Sequence, residues 1–511
     1  MNEKYLSGIS LLIVNIALSL ATFMIVLDYS IANVSIPYIA GDLGVSSDQG
    51  TYVITSFAVG NAIILPMSGW LTRRIGAVKL LCISLLLFTF FSWICGASLS
   101  FPMLVVCRFL QGLVSGPLIP LSQTLTISCN PPERRTMALA FWGMVVITAP
   151  ILGPILGGWI SYDYTWPWIF YINLPVGIIS AAVIWHFLKQ YVEKPSKGAV
   201  DWVGFIFLAI GVGTLQIFLD KGQQYDWLRS EIMTALIITS IIAFTLLIIW
   251  ELYHPTPLIE LKLFKIKSFS ASIIFIAVAY AIYFGAVVLV PLWLQTNMGY
   301  TSIWAGLAVC PIGIAPFILA AFMGKIFEKY GILIPLGICF VLFSIASFYT
   351  AFLDTDADIW TIGFSRFLVG CALVFFITPL ISLSVQDLPT DKLSSGAGIF
   401  HFVRAMVGGV GTSVFTTMWI RRSVYHHERV GSALTPASQN TDEMLGALGD
   451  LGLTDDRGLE VLNNLLNDQA AMLAINDCSY LMGWIFLALL IFLPMGRKKK
   501  TSRAATLAPS E

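Results

Sequence analysis

Long apolar stretches alternate with short polar connectors along almost the whole chain. A helix that crosses the hydrocarbon core of a bilayer needs about 20 mostly apolar residues. Fourteen stretches come close to this requirement: 11–35, 52–71, 78–98, 102–126, 137–160, 168–189, 202–220, 232–251, 270–294, 303–323, 333–353, 360–381, 395–419 and 478–495. The pattern predicts an all-α integral membrane protein with 14 transmembrane helices.

Composition agrees with a bilayer as the main solvent. Hydrophobic residues make up 57% of the chain and charged residues only 11%, whereas a soluble domain carries about 25% charged residues. The formal net charge is zero, which gives no reason to expect a nucleic-acid partner. The eight cysteines stand singly, mostly in apolar runs, and we interpret them as buried hydrophobes rather than as metal or disulfide sites.

The distribution of basic residues predicts the orientation. With the N-terminus in the cytoplasm, the cytoplasmic segments hold twenty of the 29 lysines and arginines and the outer segments hold six. Cytoplasmic loops are the basic ones in membrane proteins, so both termini are expected in the cytoplasm. The outer segment 422–476 is long and polar. Its stretch 454–474 carries leucines at helical spacing, which indicates either an amphipathic helix or a solvated connector.

An internal repeat divides the chain. Residues 69–76 follow the second span and residues 324–331 follow the tenth, and each segment has a glycine at both ends. Arg108 opens the fourth span and Arg366 opens the twelfth, followed in each case by Phe-Leu-x-Gly. The offsets of 255 and 258 residues predict two related six-helix halves. We assign 1–195 to the first half, 196–262 to an inserted helix pair and 263–511 to the second half, an organisation typical of alternating-access transporters.

Ionisable residues within a membrane are costly and indicate function. Only Asp28, Arg108, Arg366 and Arg404 lie deep within the predicted spans, and Asp28 is the only acid among them. Asp28 and Arg108 are predicted at a similar depth below the outer surface. An aspartate beside an arginine stays ionised, whereas one that loses this partner in apolar surroundings takes up a proton. We interpret Asp28 as the proton-coupling acid with Arg108 as its partner; the alternative is a fixed structural ion pair.

Polar residues recur on single faces of two spans. Arg108, Gln111 and Ser115 share one face of the fourth span, and His401 and Arg404 share one face of the thirteenth. A buried histidine is more often a packing residue than a proton relay, and both interpretations of His401 stay open. Arg404 needs a water-filled cavity, a bound anion or backbone carbonyls around it.

The fifth span contains small residues at positions 149, 153 and 157, with prolines at 150 and 154. This spacing permits close helix contact, and the prolines interrupt the helical hydrogen bonds. The chain has no phosphate-binding loop, no HExxH zinc motif and no GxSxG nucleophile motif. We therefore expect no enzymatic activity, no metal and no cofactor, and we expect an ion gradient to supply the energy.

Several segments together resemble the major facilitator superfamily and, within it, the fourteen-helix drug–proton antiporters of the EmrB type. The segments that carry this resemblance are 27–37, 69–79, 108–112, 153–158, 168–177, 291–306 and 396–409. We predict a substrate cavity that includes Phe23 and Met24, which precede Asp28 by about one turn, and the polar residues Gln111, Ser115, His401 and Arg404. Asn33 and Gln295, from the segments that carry the resemblance, complete this predicted cavity. The resemblance implies a conformational and antiporter motif set of Gly69, Arg73, Arg74, Gly76, Gly153, Pro154, Gly157, Gly158, Gly324, Glu328 and Gly331.

The resemblance also implies the export of hydrophobic or amphipathic toxic compounds in exchange for protons, across the bacterial inner membrane. Its implied partners are an EmrA-type periplasmic adaptor and an outer-membrane channel, with the segment 422–476 as the candidate adaptor contact. Two positions depart from the family: Arg73 stands where an aspartate is usual, and Pro167 stands where an arginine is common. The alternatives are a dedicated exporter of one metabolite, siderophore or lipid, a non-transporting receptor, an uptake symporter and a membrane enzyme.

Overall fold

The computed structural model describes residues 8–191, 201–255, 257–389, 392–434, 439–450 and 456–496, and these residues form no β-strand. The helices of the first half are α1 (Gly8–Asp42), α2 (Ser47–Gly50), α3 (Tyr52–Ile64), α4 (Ser68–Ile75), α5 (Ala77–Gly96), α6 (Phe101–Ser115), α7 (Leu118–Cys129), α8 (Arg135–Asp163), α9 (Trp168–Tyr171) and α10 (Asn173–Leu188). The inserted pair consists of α11 (Trp202–Lys221) and α12 (Glu231–Tyr253). The second half contains α13 (Lys267–Thr296), α14 (Ser302–Val309), α15 (Ile314–Tyr330), α16 (Leu333–Thr350), α17 (Ile359–Leu373), α18 (Ile377–Val385), α19 (Leu393–Gly431), α20 (Gln439–Asp450) and α21 (Asp456–Phe492).

The all-α membrane architecture predicted from hydropathy is confirmed. Twelve helical segments among the described residues are long and apolar enough to cross a membrane. The predicted fifth and tenth spans are represented by shorter apolar stretches, Met137–Val146 in α8 and Trp304–Pro316 at the junction of α14 and α15. The count of fourteen spans therefore stays a prediction.

The helices run alternately in opposite directions, which gives the bundle two faces. We call the end at which α1 begins the amino-terminal face, and the other end the opposite face. At the amino-terminal face, Asn15 of α1 exchanges amide hydrogen bonds with Asn130, just after α7. At the opposite face, the indole of Trp166 donates to Asp42 at the end of α1. These bonds connect the helix ends of the first half at both faces.

Glycines bring the third and sixth helices into backbone contact. A Cβ atom on Gly112 of α6 would lie 2.2 Å from the carbonyl oxygen of Phe57 in α3, and one on Gly60 would lie 2.3 Å from the carbonyl oxygen of Phe109. The second half repeats this contact, since a Cβ atom on Gly370 of α17 would lie 2.4 Å from the carbonyl oxygen of Ile312. Only glycine permits helices to approach this closely.

We expect Gly112→Ala to lower the melting midpoint of the detergent-solubilised protein, because the added methyl group must push α6 away from α3. Overpacking of this kind costs about 1–3 kcal/mol. Gly158→Ala in α8 is the matched control, since a Cβ atom there has nothing within 4 Å. Thermal unfolding followed by gel-filtration fluorescence provides the comparison, and equal midpoints for the two variants would contradict the backbone contact.

The two halves meet closely at the amino-terminal face. Residues 65–69 and 395–401 are buried without interruption, and a Cβ atom on Gly69 would lie 2.8 Å from the Cα atom of Ser395. Elsewhere in the interface between the two halves, α8 packs against α14, α15 and α18. Towards the opposite face, α11 of the inserted pair lies between α3 and α19 and contacts both. The amino-terminal face is therefore the closed end of the bundle in this conformation.

The segment 422–476 is more helical than a polar loop. Helix α19 continues to Gly431, α20 follows after a break, and α21 begins at Asp456 and runs without interruption to Phe492. Of the two alternatives for 454–474, the structure has the helix: residues 456–474 form the first part of α21 rather than a separate element. Asp477 accepts bonds from Arg422 at 2.6 Å and from His426 at 2.7 Å, and these bonds hold the extended helices side by side.

Candidate functional site

A buried ion pair joins the first and sixth helices. Nη1 of Arg108 lies 2.5 Å from Oδ2 of Asp28, and both side chains are fully buried. The structure therefore brings together the two residues that the sequence placed at one depth. Two charges removed from water must be paired and hydrogen-bonded, because their desolvation is otherwise too costly.

The carboxylate of Asp28 has further donors from two helices. Asn173, at the start of α10, donates its amide to Oδ1 at 2.8 Å, and Gln111 of α6 contributes a longer contact of 3.4 Å to the same oxygen. The amide of Asn173 also lies 3.0 Å from the hydroxyl of Ser92, and Ser92 in turn donates to the carbonyl of Phe170 at 2.9 Å. In this conformation Arg108, Asn173 and Gln111 all donate to the carboxylate of Asp28.

The guanidinium of Arg108 is held from several sides. Nε donates to the carbonyl oxygen of Val53 in α3 at 3.1 Å, and Nη1 donates to Oε1 of Gln111 at 2.9 Å. Its Cζ atom lies 4.4 Å from the ring centroid of Phe57 and 5.4 Å from that of Phe170. Nη2 has no hydrogen-bond partner among the described residues. Arg108 is fixed mainly by α3 and α6, so a shift of α1 against these helices would separate it from Asp28.

The corresponding arginine of the second half has no acidic partner among the described residues. Arg366 of α17 is buried, and its Nη2 donates to the hydroxyl of Thr350 at 2.6 Å while its Nε donates to Ser365 at 3.0 Å. The two repeats thus place matching arginines in matching helices, but among the described residues a carboxylate partner is found in the first half alone.

His401 and Arg404 lie one turn apart on α19 and differ in their surroundings. His401 is buried, and its Nε2 lies 2.5 Å from Oε1 of Gln123 in α7 of the other half. Arg404 is half-buried; its Cζ atom lies 5.3 Å from the ring centroid of Tyr280, and Nη1 lies 3.5 Å from the hydroxyl oxygen of that tyrosine. His401 therefore joins the two halves, and Arg404 stands just beyond that junction.

The other predicted cavity residues fall into different environments. Met24 is buried in the core of the first half, Phe23 is partly buried, and Ser115 is buried and accepts from Asn61 at 2.7 Å. Asn33 is exposed on α1. Gln295 is exposed at the end of α13 and donates to the carbonyl of Pro291 in its own helix. These residues therefore do not line one continuous wall around Asp28.

A charged cluster closes the amino-terminal face, and we call Arg73, Glu260, Lys392 and Ser395 the amino-terminal cluster. Nη1 of Arg73 lies 2.7 Å from the hydroxyl of Ser395 and 3.4 Å from Oε1 of Glu260. Lys392 lies 2.5 Å from Oε2 of the same glutamate. Because position 73 is an arginine in this chain, the acid that joins the halves comes from Glu260, which follows the inserted pair.

The two loop motifs share a backbone conformation. Gly76 ends α4 with φ = 90° and Gly331 ends α15 with φ = 71°. Residues other than glycine rarely adopt this left-handed region, so both positions require glycine. Arg74 is exposed beside Gly76. Gly324 and the side chain of Glu328 lie outside the part of the chain that the structure describes in side-chain detail.

The small residues of α8 pack against the helix that carries Asp28. A Cβ atom on Gly153 would lie 2.2 Å from the hydroxyl of Ser30, and one on Gly157 would lie 3.0 Å from the carbonyl oxygen of Ile31. Gly158 faces open space, and the side chain of Pro154 is not among the described ones. The small-residue spacing therefore permits a close contact between α8 and α1 within one turn of Asp28.

Sequence reasoning missed three polar residues of these sites. Asn173 stands out in the sequence only as part of a family segment, although its amide donates to Asp28 at 2.8 Å. Gln123 and Glu260 give no signal in the sequence. Gln123 is an ordinary polar residue within α7 and Glu260 lies in the connector after α12, and only the fold brings them against residues of the other half. A search for polar residues within the span-6 segment would have found Asn173.

Comparison with known proteins assigns the chain to a family. The family model described as Major Facilitator Superfamily matches residues 18–412. The chain belongs to the major facilitator superfamily. The superfamily's known folds agree: the chain aligns with the crystal structure of the human organic anion transporter MFSD10 at a TM-score of 0.59 and 13% identity, covering 95% of this chain and all of that one.

The chain also groups with the EmrB-type members of the superfamily. It is 41% identical to the multidrug export protein EmrB of Escherichia coli K12 over 489 residues, which covers 96% of both chains. It is 40% identical to the fatty acid resistance protein FarB of Neisseria gonorrhoeae over 491 residues, covering 96% of this chain and 97% of that protein. The family predicted from the sequence segments is therefore confirmed.

Proposed function

We propose that this protein is a proton-coupled antiporter that exports hydrophobic and amphipathic toxic compounds by alternating access, without a cofactor. Multidrug efflux is supported by the near full-length similarity to EmrB-type export proteins. Proton coupling is supported by one observation above all: the carboxylate of Asp28 is buried and paired with Arg108 inside the helical bundle. Such an acid in a transporter is typical of a proton pathway.

We infer two states for Asp28 during transport. While α1 stays against α6, Arg108, Asn173 and Gln111 stabilise the ionised carboxylate. When the halves rock and α1 moves, those donors are withdrawn, and a carboxylate in apolar surroundings binds a proton. Because α8 contacts α1 through Gly153 and Gly157, a shift of α8 against the second half is transmitted directly to the helix that carries the acid.

We place the amino-terminal face in the cytoplasm. The excess of lysine and arginine in the segments at that face supports this orientation, and the bacterial relatives support a location in the inner membrane. The closed amino-terminal face then corresponds to a cytoplasmic gate that is shut, with the amino-terminal cluster as its charged part.

We propose that the extended parts of α19 and α21 and the helix α20, on the outer side, contact a periplasmic adaptor of the EmrA type, which links the pump to an outer-membrane channel. Exposed apolar residues such as Leu459 and Leu465 on α21 supply a surface for such a contact. Replacing both by glutamate should abolish co-purification of the adaptor. Leu99→Glu is the positional control, because Leu99 is an exposed apolar residue after α5 in the first half, away from α19, α20 and α21. Undiminished adaptor binding by the double variant would contradict this assignment.

The function is tested with the purified protein in liposomes that contain a trapped pH dye. A proton gradient is imposed, and amphipathic dyes that carry no carboxylate and are not themselves protonophores are added, with protein-free liposomes as the control. We expect several chemically unrelated compounds to accelerate the loss of the gradient. Activity with one compound alone would favour the dedicated exporter. If no compound accelerates the loss of the gradient, proton antiport is contradicted.

A further inference from the structure

Arg404 is a mid-helix cation without an acidic partner. No carboxylate among the described residues lies within ion-pair distance of its guanidinium. Its Nε atom is buried and has no hydrogen-bond partner in the described part of the chain, and Nη1 makes only the 3.5 Å contact with Tyr280. Burial of a charged donor without a partner is unfavourable, so a ligand that supplies an acceptor would be stabilised here.

The side chain faces the space between the two halves. His401 lies three residues before Arg404, hence on the same face of α19, and it contacts Gln123 of the first half. Residues 395–401 are buried in that junction, whereas Arg404 is half-exposed. Arg404 therefore lies directly above the closed end, on the face of α19 that a molecule between the halves would touch.

Aromatic rings form the wall beside this cation. The ring of Tyr280 is stacked with that of Phe284 at 5.5 Å and 19°, and with that of Phe376 at 6.4 Å and 12°. Phe284 is partly exposed on α13. An aromatic wall with a cation and a hydroxyl beside it suits a ligand that has an apolar body and one anionic end.

The other two deep arginines are less available to bind an anionic ligand. Arg108 is neutralised by Asp28, and Arg366 is buried with its Nε and Nη2 atoms bonded to Ser365 and Thr350. Among the described residues, Arg404 alone combines a mid-helix position, partial exposure and an unpartnered donor. An arginine in this state can bind a carboxylate through two parallel bonds.

We propose that Arg404 and Tyr280 bind the anionic group of an amphipathic organic anion, with the carboxylate of a weak organic acid as the type case. This inference rests on the proposed function and names a cargo class for it. The guanidinium binds the anionic oxygens, the Tyr280 hydroxyl donates to one of them, and the apolar body of the ligand lies along Tyr280 and Phe284. A neutral molecule of the same shape gains only the apolar contact.

The test is a binding measurement on the full chain in lipid nanodiscs, with empty nanodiscs subtracted. The probes are dansyl-aminoundecanoate and its methyl ester, which share one apolar body and differ in charge. We expect the wild type to bind the anion more tightly than the ester. Arg404→Gln should weaken anion binding by about tenfold or more, the effect of losing bonds to a charged group, and should leave ester binding unchanged. Unchanged ester binding also shows that the variant is folded.

Two further variants separate charge from geometry. Arg404→Lys keeps the charge but loses the forked donor arrangement, so it should bind the anion with intermediate affinity. Arg421→Gln removes an exposed cation of the same helix and should bind both probes as the wild type does. Equal affinity of the wild type for both probes, or unchanged anion binding by Arg404→Gln, would overturn the inference. Either result leaves proton-coupled export untouched, since the liposome assay uses dyes without a carboxylate.

Discussion

Asp28→Asn should reduce substrate-dependent proton movement to the background of liposomes without protein. Asparagine has nearly the same shape and keeps hydrogen-bond contacts to Asn173 and Gln111, but it cannot carry a proton at neutral pH. If Asp28 is the coupling acid, compounds that dissipate the gradient with the wild type have no such effect with the variant. The measurement is the fluorescence of the trapped pH dye after each addition.

The variant also leaves a buried arginine without its counter-charge. Removing one partner of a buried ion pair costs about 3–5 kcal/mol, so misfolding must be separated from a loss of coupling. The double variant Asp28→Asn with Arg108→Gln removes both charges, and we expect it to recover the melting midpoint but not proton movement. Asp42→Asn is the matched control: Asp42 lies on the same helix and also accepts a hydrogen bond, from Trp166, but lies at the helix end.

Wild-type proton movement by Asp28→Asn would assign Asp28 a structural role. The next candidate is then Asp220 of α11, whose carboxylate accepts a hydrogen bond from the hydroxyl of Thr55 in α3. Asp220→Asn in the same assay would test it. If Asp220→Asn abolishes proton movement, the proton pathway lies between α3 of the first half and α11 of the inserted pair rather than within the first half.

The ion pair was predictable because membrane topology restricts depth. Once spans 1 and 4 are oriented, helix rise alone places Asp28 and Arg108 at one level, and the high cost of unpaired buried charge favours their contact. The repeat was visible for a similar reason. Gly76 and Gly331 need a positive φ, and Gly112 and Gly370 need a missing Cβ atom, so these positions have few alternatives to glycine.

The remaining partners depended on tertiary structure. Glu260 lies after α12, and no local pattern indicates that it meets Arg73 and Lys392. The continuation of α19 and α21 beyond the membrane was underestimated because hydropathy measures only the apolar part of a helix. Outside the bilayer, the helical backbone satisfies its own hydrogen bonds, and pairs such as Arg422–Asp477 replace apolar burial as the contact between helices.

We expect Glu260→Lys to open the amino-terminal face. The glutamate binds Arg73 of the first half and Lys392 of the second half, and its side chain is only 11% exposed. Replacing it by lysine sets three cations beside one another. A shift of about 2 kcal/mol towards the open state would lower the ratio of closed to open molecules about thirtyfold. The measurement is the distance between two spin labels, determined by pulsed electron paramagnetic resonance in a variant whose eight native cysteines are replaced. The labels are attached at positions 79 and 330, where Lys79 and Tyr330 are exposed residues of the two halves at this face. We expect this distance to increase in Glu260→Lys.

A second substitution separates charge from side-chain shape. Arg73→Asp combined with Glu260→Lys again gives one acid and two bases, now with the acid on the first half, where the superfamily usually has it. We expect the double variant to recover the short label distance and a substantial part of the export rate, because the introduced aspartate can attract both lysines across the gate. If Glu260→Lys is folded but the double variant recovers neither the label distance nor the export rate, the amino-terminal cluster acts through packing around Ser395 rather than through charge.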